Sequence, residues 1–228
     1  MNPGTKSSDV DIVSKLQVNN AAVNGVIVDP EDQKNLKLGH DDITGPNAKS
    51  LNEVWQQTYE TAVNCLRTNY YGIKLVSKEL IPLLQLSKSG RIVNVSAPLG
   101  QLKYISNENA RKKLGDVDGL TEEKVDEVVE GFLEDVKENL IEVKGWPILF
   151  SAYSVSKAAL NGYTRVLAKK HPKIAINAVN PGYTRTDLNY NAGFLTIEEG
   201  AKGPVILALI PEGGPSGLFY DQTEVSTF

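Results

Sequence analysis

Residues 90–100 read GRIVNVSAPLG, a β-branched run set between Gly90 and Pro98. Apolar residues without polar alternation, bounded by turn formers, mark a strand buried on both faces, as in a parallel sheet. Working outward, IAINAVN (174–180) repeats the pattern. KLQVNNAAVNGVIV (15–28) reads as a strand followed by a loop, and GLFYDQTEV (217–225) as a final strand. The segments between are helical. Leu51, Val54, Trp55, Ala62, Leu66, Ile73, Leu80 and Leu84 recur at three- and four-residue steps, predicting a helical stretch from Leu51 to soon after Pro82. YSVSKAALNGYTRVLAKK (153–170) is helical up to His171-Pro172, and a Thr196…Glu199 capping box opens TIEEGAKGPVILALI (196–210). Strands alternating with helices predict βαβ units in a doubly wound parallel α/β sheet.

The expected organisation is one domain over residues 1–228, with two additions. Residues 1–14 are an atypical polar start without the apolar core of a signal peptide. Residues 101–147 are a helical insertion. There, TEEKVDEVVEGFLEDVKENLIE (121–142) carries Thr121 as N-cap and one stripe of Val125, Val128, Val129, Phe132, Val136 and Leu140. Between Lys103 and Lys144 stand seven basic and twelve acidic residues, which reads as a solvated face over a buried stripe. DPEDQKNLKLGHDDITGPNAK (29–49) reads as a surface excursion.

Composition narrows the function. A net charge of −4 lacks the clustered basic surface of a nucleic-acid binder. No apolar run approaches the roughly 20 residues of a membrane span. Cys65 is the single cysteine, which suits a reducing compartment; the expected location is cytoplasmic. No metal-ligand spacing occurs.

The residues that carry chemistry are few. Tyr153 and Lys157 stand at i and i+4, on one helix face. An ammonium beside a phenol favours the phenolate and predicts a lowered tyrosine pKa, as a general acid or base needs. Asn69 falls on the apolar face of its helix, where an amide requires partners. VNNAA (18–22) and NPGYTRT (180–186) come at the C-terminal ends of strands, where open α/β sheets bind ligands. Gly182 lets backbone approach closely, and Thr184 and Thr186 offer hydroxyls to an amide or phosphate.

In this order, VNNAA, Asn69 in RTNYYG, GRIVNVSAPLG, YSVSK and NPGYTRT resemble the short-chain dehydrogenase/reductase family. TNYYG, GWP…AYSVSKAALN, RVLAKK, GGPSGLFYD and the long insertion are similar to its plant branch of salutaridine and menthone–neomenthol reductases. The resemblance implies a Rossmann-like sheet and an NADP(H)-dependent carbonyl or alcohol oxidoreductase acting on a small molecule. It implies that Tyr153 exchanges the proton, that Lys157 lowers its pKa and holds the nicotinamide ribose, and that Asn69 positions a relay water. Asn20, Ala21, Pro181, Gly182, Thr184 and Thr186, with Tyr153 and Lys157, are the implied cofactor contacts. The insertion covers the face through which shorter family members dimerise, implying a monomer.

Two departures qualify the expectation. The family's substrate-orienting serine corresponds to Ala97, and Ser96 is expected to point to the opposite face of the strand. No glycine-rich turn of the TGxxxGxG or GxGxxG type occurs in the 228 residues, so the first strands and phosphate loop of the fold are expected to be lacking. The strand at VNNA then becomes an edge. The expectation is a reductase with impaired activity; the alternative is a non-catalytic, reductase-like protein that binds or interacts.

Overall fold

The computed structural model describes residues 15–29, 51 and 54–228. The run around Asn94 forms β2 (Arg91–Val95), between β1 (Leu16–Asn19) and β3 (Ala175–Asn180). Beyond β3 lie β4 (Phe219–Asp221) and β5 (Glu224–Ser226). The first four strands are parallel, with Val18 opposite Val93 and Asn94 opposite Ala178; β5 is antiparallel to β4. The stretch expected as one final strand is thus a hairpin. Gln222 takes a left-handed φ of 56° and reverses the chain, bringing Ser226 back beside Phe219.

Alternate residues of the central strands serve two layers. Ile92 and Ile176 join one core with helices α1 (Tyr59–Leu66), α4 (Glu122–Lys137) and α5 (Ser151–Lys170). Val93 and Val179 face the other way, onto Leu207 of α6 (Ile197–Ala208). This is the doubly wound parallel sheet that β-branched runs without polar alternation predict. A buried polar ladder ties the layers together. Gln17 donates to Asn19 at 2.9 Å, Asn19 to Asn94 at 2.7 Å, and Asn94 to Thr164 of α5 at 2.9 Å.

The first helical stretch is broken where its spacing predicts continuity: Leu51 is helical, but Val54 to Thr58 are not. Thr58 and Thr61 form a reciprocal capping box, so α1 starts at Tyr59. Val54 and Trp55 lie ahead of it and pack with Leu149 and Phe150. Between α1 and α2 (Ile73–Leu84), residues Arg67–Gly72 widen into a π-helical turn that contains Asn69. Residues 1–14 and the expected surface excursion over 30–49 lie outside the described residues.

The insertion follows its stripe. Thr121 caps α4, and Val125, Val129 and Phe132 are fully buried. A shorter helix, α3 (Glu108–Gly115), precedes it with only Ala110 and Leu114 buried, too few to show a stripe in the sequence. The insertion sits directly on α5: a Cβ at Gly162 would meet Leu114, Leu120 and Val125 within 3.4 Å. Lys74 of α2 clamps α4 by ion pairs to Asp126 at 2.6 Å and Glu122 at 3.0 Å, while the buried Tyr70 hydroxyl donates to Asp126.

Candidate active site

A cavity of about 540 Å³ opens where β1, β2, β3 and β4 end. Its walls include Asn20, Val95 to Leu99, Tyr153, Lys157, Pro181, Gly182, Thr184, Thr186 and Asp221. Of the expected contacts, Ala21 alone of the strand-end residues is not brought there. It faces solvent, and Ala22 and Asn24 line the cavity instead.

Several close fits set the positions of Tyr153 and Lys157. Phe150 precedes α5 in the left-handed region (φ 53°), a conformation a bulky residue adopts at a cost of order 1–3 kcal/mol. It cannot cap the helix with its side chain. Gln57 does so instead, its Oε1 accepting from the Ala152 amide at 2.8 Å and the Ser151 hydroxyl at 3.1 Å. Downstream, a Cβ at Gly100 would lie 2.8 Å from Lys157 Cβ, so the loop after β2 rests on the helix at that residue. Gly182 has φ +81°, and a Cβ there would collide with Leu195.

Lys157 is buried, and its Nζ donates to the Val95 carbonyl at 2.7 Å, 5.6 Å from the centre of the Tyr153 ring. Desolvation pulls its pKa down to about 8. Burial also acts on Tyr153, pushing its phenol well above 10, with the neighbouring Cys65 thiol adding to the rise. The lowered tyrosine pKa expected from the i,i+4 spacing is therefore not found in the protein alone. The Lys157 charge is itself disfavoured by burial and is directed to a backbone carbonyl.

Asn69 lies behind the cavity, fully buried. Its Oδ1 accepts from the Val23 amide and its Nδ2 donates to the Val23 carbonyl, each at 2.9 Å. Nδ2 also reaches Ser156 Oγ at 3.1 Å, and Ser156 donates to the Tyr153 carbonyl at 2.7 Å. The amide is thus committed to holding the loop after β1 against α5.

Ala97 lines the cavity, as expected, with a methyl group. Ser96 lines it too. β2 ends at Val95, but the Ser96 amide still donates to the Val179 carbonyl of β3 at 2.7 Å. The Ser96 hydroxyl is buried without a hydrogen-bond partner, a state that costs about 1–3 kcal/mol.

Much of the remaining wall is aromatic. Trp55 packs 5.2 Å from Phe150 and 6.3 Å from Tyr190, and Tyr183 lies 5.4 Å from Phe194. Tyr104 of the insertion and Tyr190 and Phe194 of the loop after Thr186 add to it. Trp55 read only as one member of an apolar helical series and Phe150 sits in no regular pattern, so neither pointed to the cavity.

A family model described as short chain dehydrogenase matches residues 143–193, the segment that contains Tyr153, Lys157 and Gly182. A short-chain dehydrogenase/reductase 1 of Saponaria officinalis is 52% identical over 217 residues, covering 92% of this chain and 68% of that protein. The chain belongs to the short-chain dehydrogenase/reductase family. Salutaridine reductase of Papaver bracteatum, within it, is 52% identical over 216 residues, with 92% of this chain and 70% of that protein aligned. The structure of salutaridine reductase from Papaver somniferum superposes with a TM-score of 0.83 at 48% identity, covering 94% of this chain and 76% of that one. The parallel sheet flanked by helices is the Rossmann-like arrangement of that relative. None of the described helices is long and apolar enough to cross a membrane.

Proposed function

We propose that this protein reduces the carbonyl group of a small, largely apolar ketone to an alcohol, using NADP(H). What supports the reading most is one juxtaposition: Tyr153 and the buried ammonium of Lys157 share a cavity whose walls are otherwise mainly aromatic and aliphatic. Such a cavity suits an apolar substrate fixed by a few polar groups.

The strand-edge residues fit the nicotinamide-riboside end of the cofactor. Lys157 is a buried cation with a single carbonyl partner, which leaves N–H groups for ribose hydroxyls. Gly182 keeps the backbone bare at the cavity edge, where a Cβ would meet Leu195 and Gln222. No glycine-rich turn for the pyrophosphate is among the 228 residues, so the adenosine end gains little from them. The bound cofactor supplies a hydride to the carbonyl carbon. Tyr153 donates a hydrogen bond to the carbonyl oxygen and gives up its proton as that oxygen becomes a hydroxyl. Lys157 stabilises the resulting phenolate by its charge. Asn69 acts as a positioning residue, fixing the loop after β1 and, through Ser156, the first turn of α5. Ala97 leaves the oxygen one donor short of the family pattern, a loss of order 10²–10³ in rate elsewhere.

The test is deuteride transfer. The chain, incubated with [4-²H]NADPH and a panel of apolar cyclic ketones, should yield alcohol labelled at the carbinol carbon. Ketone binding with no labelled alcohol would instead favour the non-catalytic alternative, the one the alanine at position 97 supports.

The insertion, clamped over α1 and α5 by Lys74, favours a monomer with no nucleic-acid or membrane partner. A cytoplasmic location accords with the single buried thiol.

A further inference from the structure

The Ser96 hydroxyl has no role in the mechanism above, although Ser96 lines the same cavity as Tyr153 and Lys157. Ser96 is 3% exposed, its amide donates to the Val179 carbonyl at 2.7 Å, and its Oγ bonds to nothing. Native proteins seldom leave a buried hydroxyl in that state without a reason. Two backbone acceptors at this edge already have donors: Val179 the Ser96 amide and Val95 the Lys157 ammonium. A serine has three staggered positions about χ1, and no hydrogen bond holds Ser96 in one of them. One residue on, Ala97 presents a methyl group to the cavity, where a second donor to a substrate oxygen would serve.

We propose that Ser96 is the substrate-orienting donor of this chain: its hydroxyl turns to hydrogen-bond the carbonyl oxygen of a bound apolar ketone, beside Tyr153, in place of the hydroxyl that Ala97 lacks. The proposal rests on the ketone-reducing reading of the cavity. It follows that positions 96 and 97 are coupled. A hydroxyl restored at 97 makes the one at 96 redundant, whereas a purely structural serine would matter equally in both backgrounds.

The carbonyl stretch of a bound ketone reads this hydrogen bond directly and needs no cofactor. The whole chain is titrated with ¹³C=O-labelled 4-tert-butylcyclohexanone, and the bound band is recorded by infrared difference spectroscopy. In the unmodified protein the band should lie below its position in an apolar solvent. Ser96→Ala should move it back toward that position, and Ser96→Ala combined with Ala97→Ser should restore the shift. Ser96→Cys, nearly isosteric and a weaker donor, should give an intermediate band and serves if Ser96→Ala does not fold. A band unmoved by Ser96→Ala or Ser96→Cys but moved by Tyr153→Phe overturns the role of Ser96 and leaves the site reading standing. Absence of bound ketone, or a band indifferent to all the substitutions, overturns the site reading itself.

Discussion

At Lys157, burial sets the sign of a pH effect. Its pKa is drawn down to about 8, so the ammonium is present below that pH and lost above it. Because the charge stabilises the developing phenolate, kcat for ketone reduction should be steady at neutral pH and fall as pH rises through about 8. Lys157→Met should lower kcat and flatten that alkaline limb; a limb that survives the substitution belongs to another group. The i,i+4 pair was legible because a helix fixes it. The tyrosine pKa was not, since desolvation depends on everything packed around the ring. Asn69 was legible as a buried amide, but its partner, the backbone of Val23, comes from a loop 46 residues away. Asn69→Ala leaves the Val23 N–H unpaired and its carbonyl with only the Cys65 thiol, at about 1–3 kcal/mol. Urea unfolding should show that loss, and an unchanged midpoint would mean that the two bonds carry no stability.

Among the elements, α5 depends on a cap from outside itself. Gln57→Ala removes the acceptor for the Ala152 amide and should cost about 1 kcal/mol, by comparison with other N-cap losses. Thermal unfolding followed by circular dichroism checks it: equal melting temperatures would show that water replaces the glutamine without loss. The elements themselves divide by how local their causes are. β2, β3, α4 and α6 could be read directly, because uninterrupted β-branched runs and caps such as Thr121 and Thr196 act within a few residues. The start of α1 and the break at Gln222 were misread. An apolar series continues through Val54 and Trp55, although the capping box at Thr58 starts α1 only after them, and a left-handed residue leaves no mark on hydrophobic periodicity.

For the whole molecule, the insertion and the sheet edge carry the architecture. α4 buries its stripe on the α1–α5 face, and the ion pairs of Lys74 fasten it. Light scattering should therefore give a mass near the 24.8 kDa of a single chain; twice that mass would mean that the insertion leaves a pairing surface open. The aromatic wall belongs to this scale too. Trp55, Phe150 and Tyr190 meet only after three distant segments fold, so no local pattern announces them. The central claim is that the Tyr153 phenol protonates a ketone reduced in this cavity. Steady-state reduction of 4-tert-butylcyclohexanone with saturating NADPH, compared between the unmodified chain and Tyr153→Phe, tests it most directly. A positioned general acid contributes roughly 10²–10⁴ in rate. The account predicts turnover by the unmodified chain and a fall of that order in the variant, with ketone affinity little altered. Equal rates in the two proteins would contradict it.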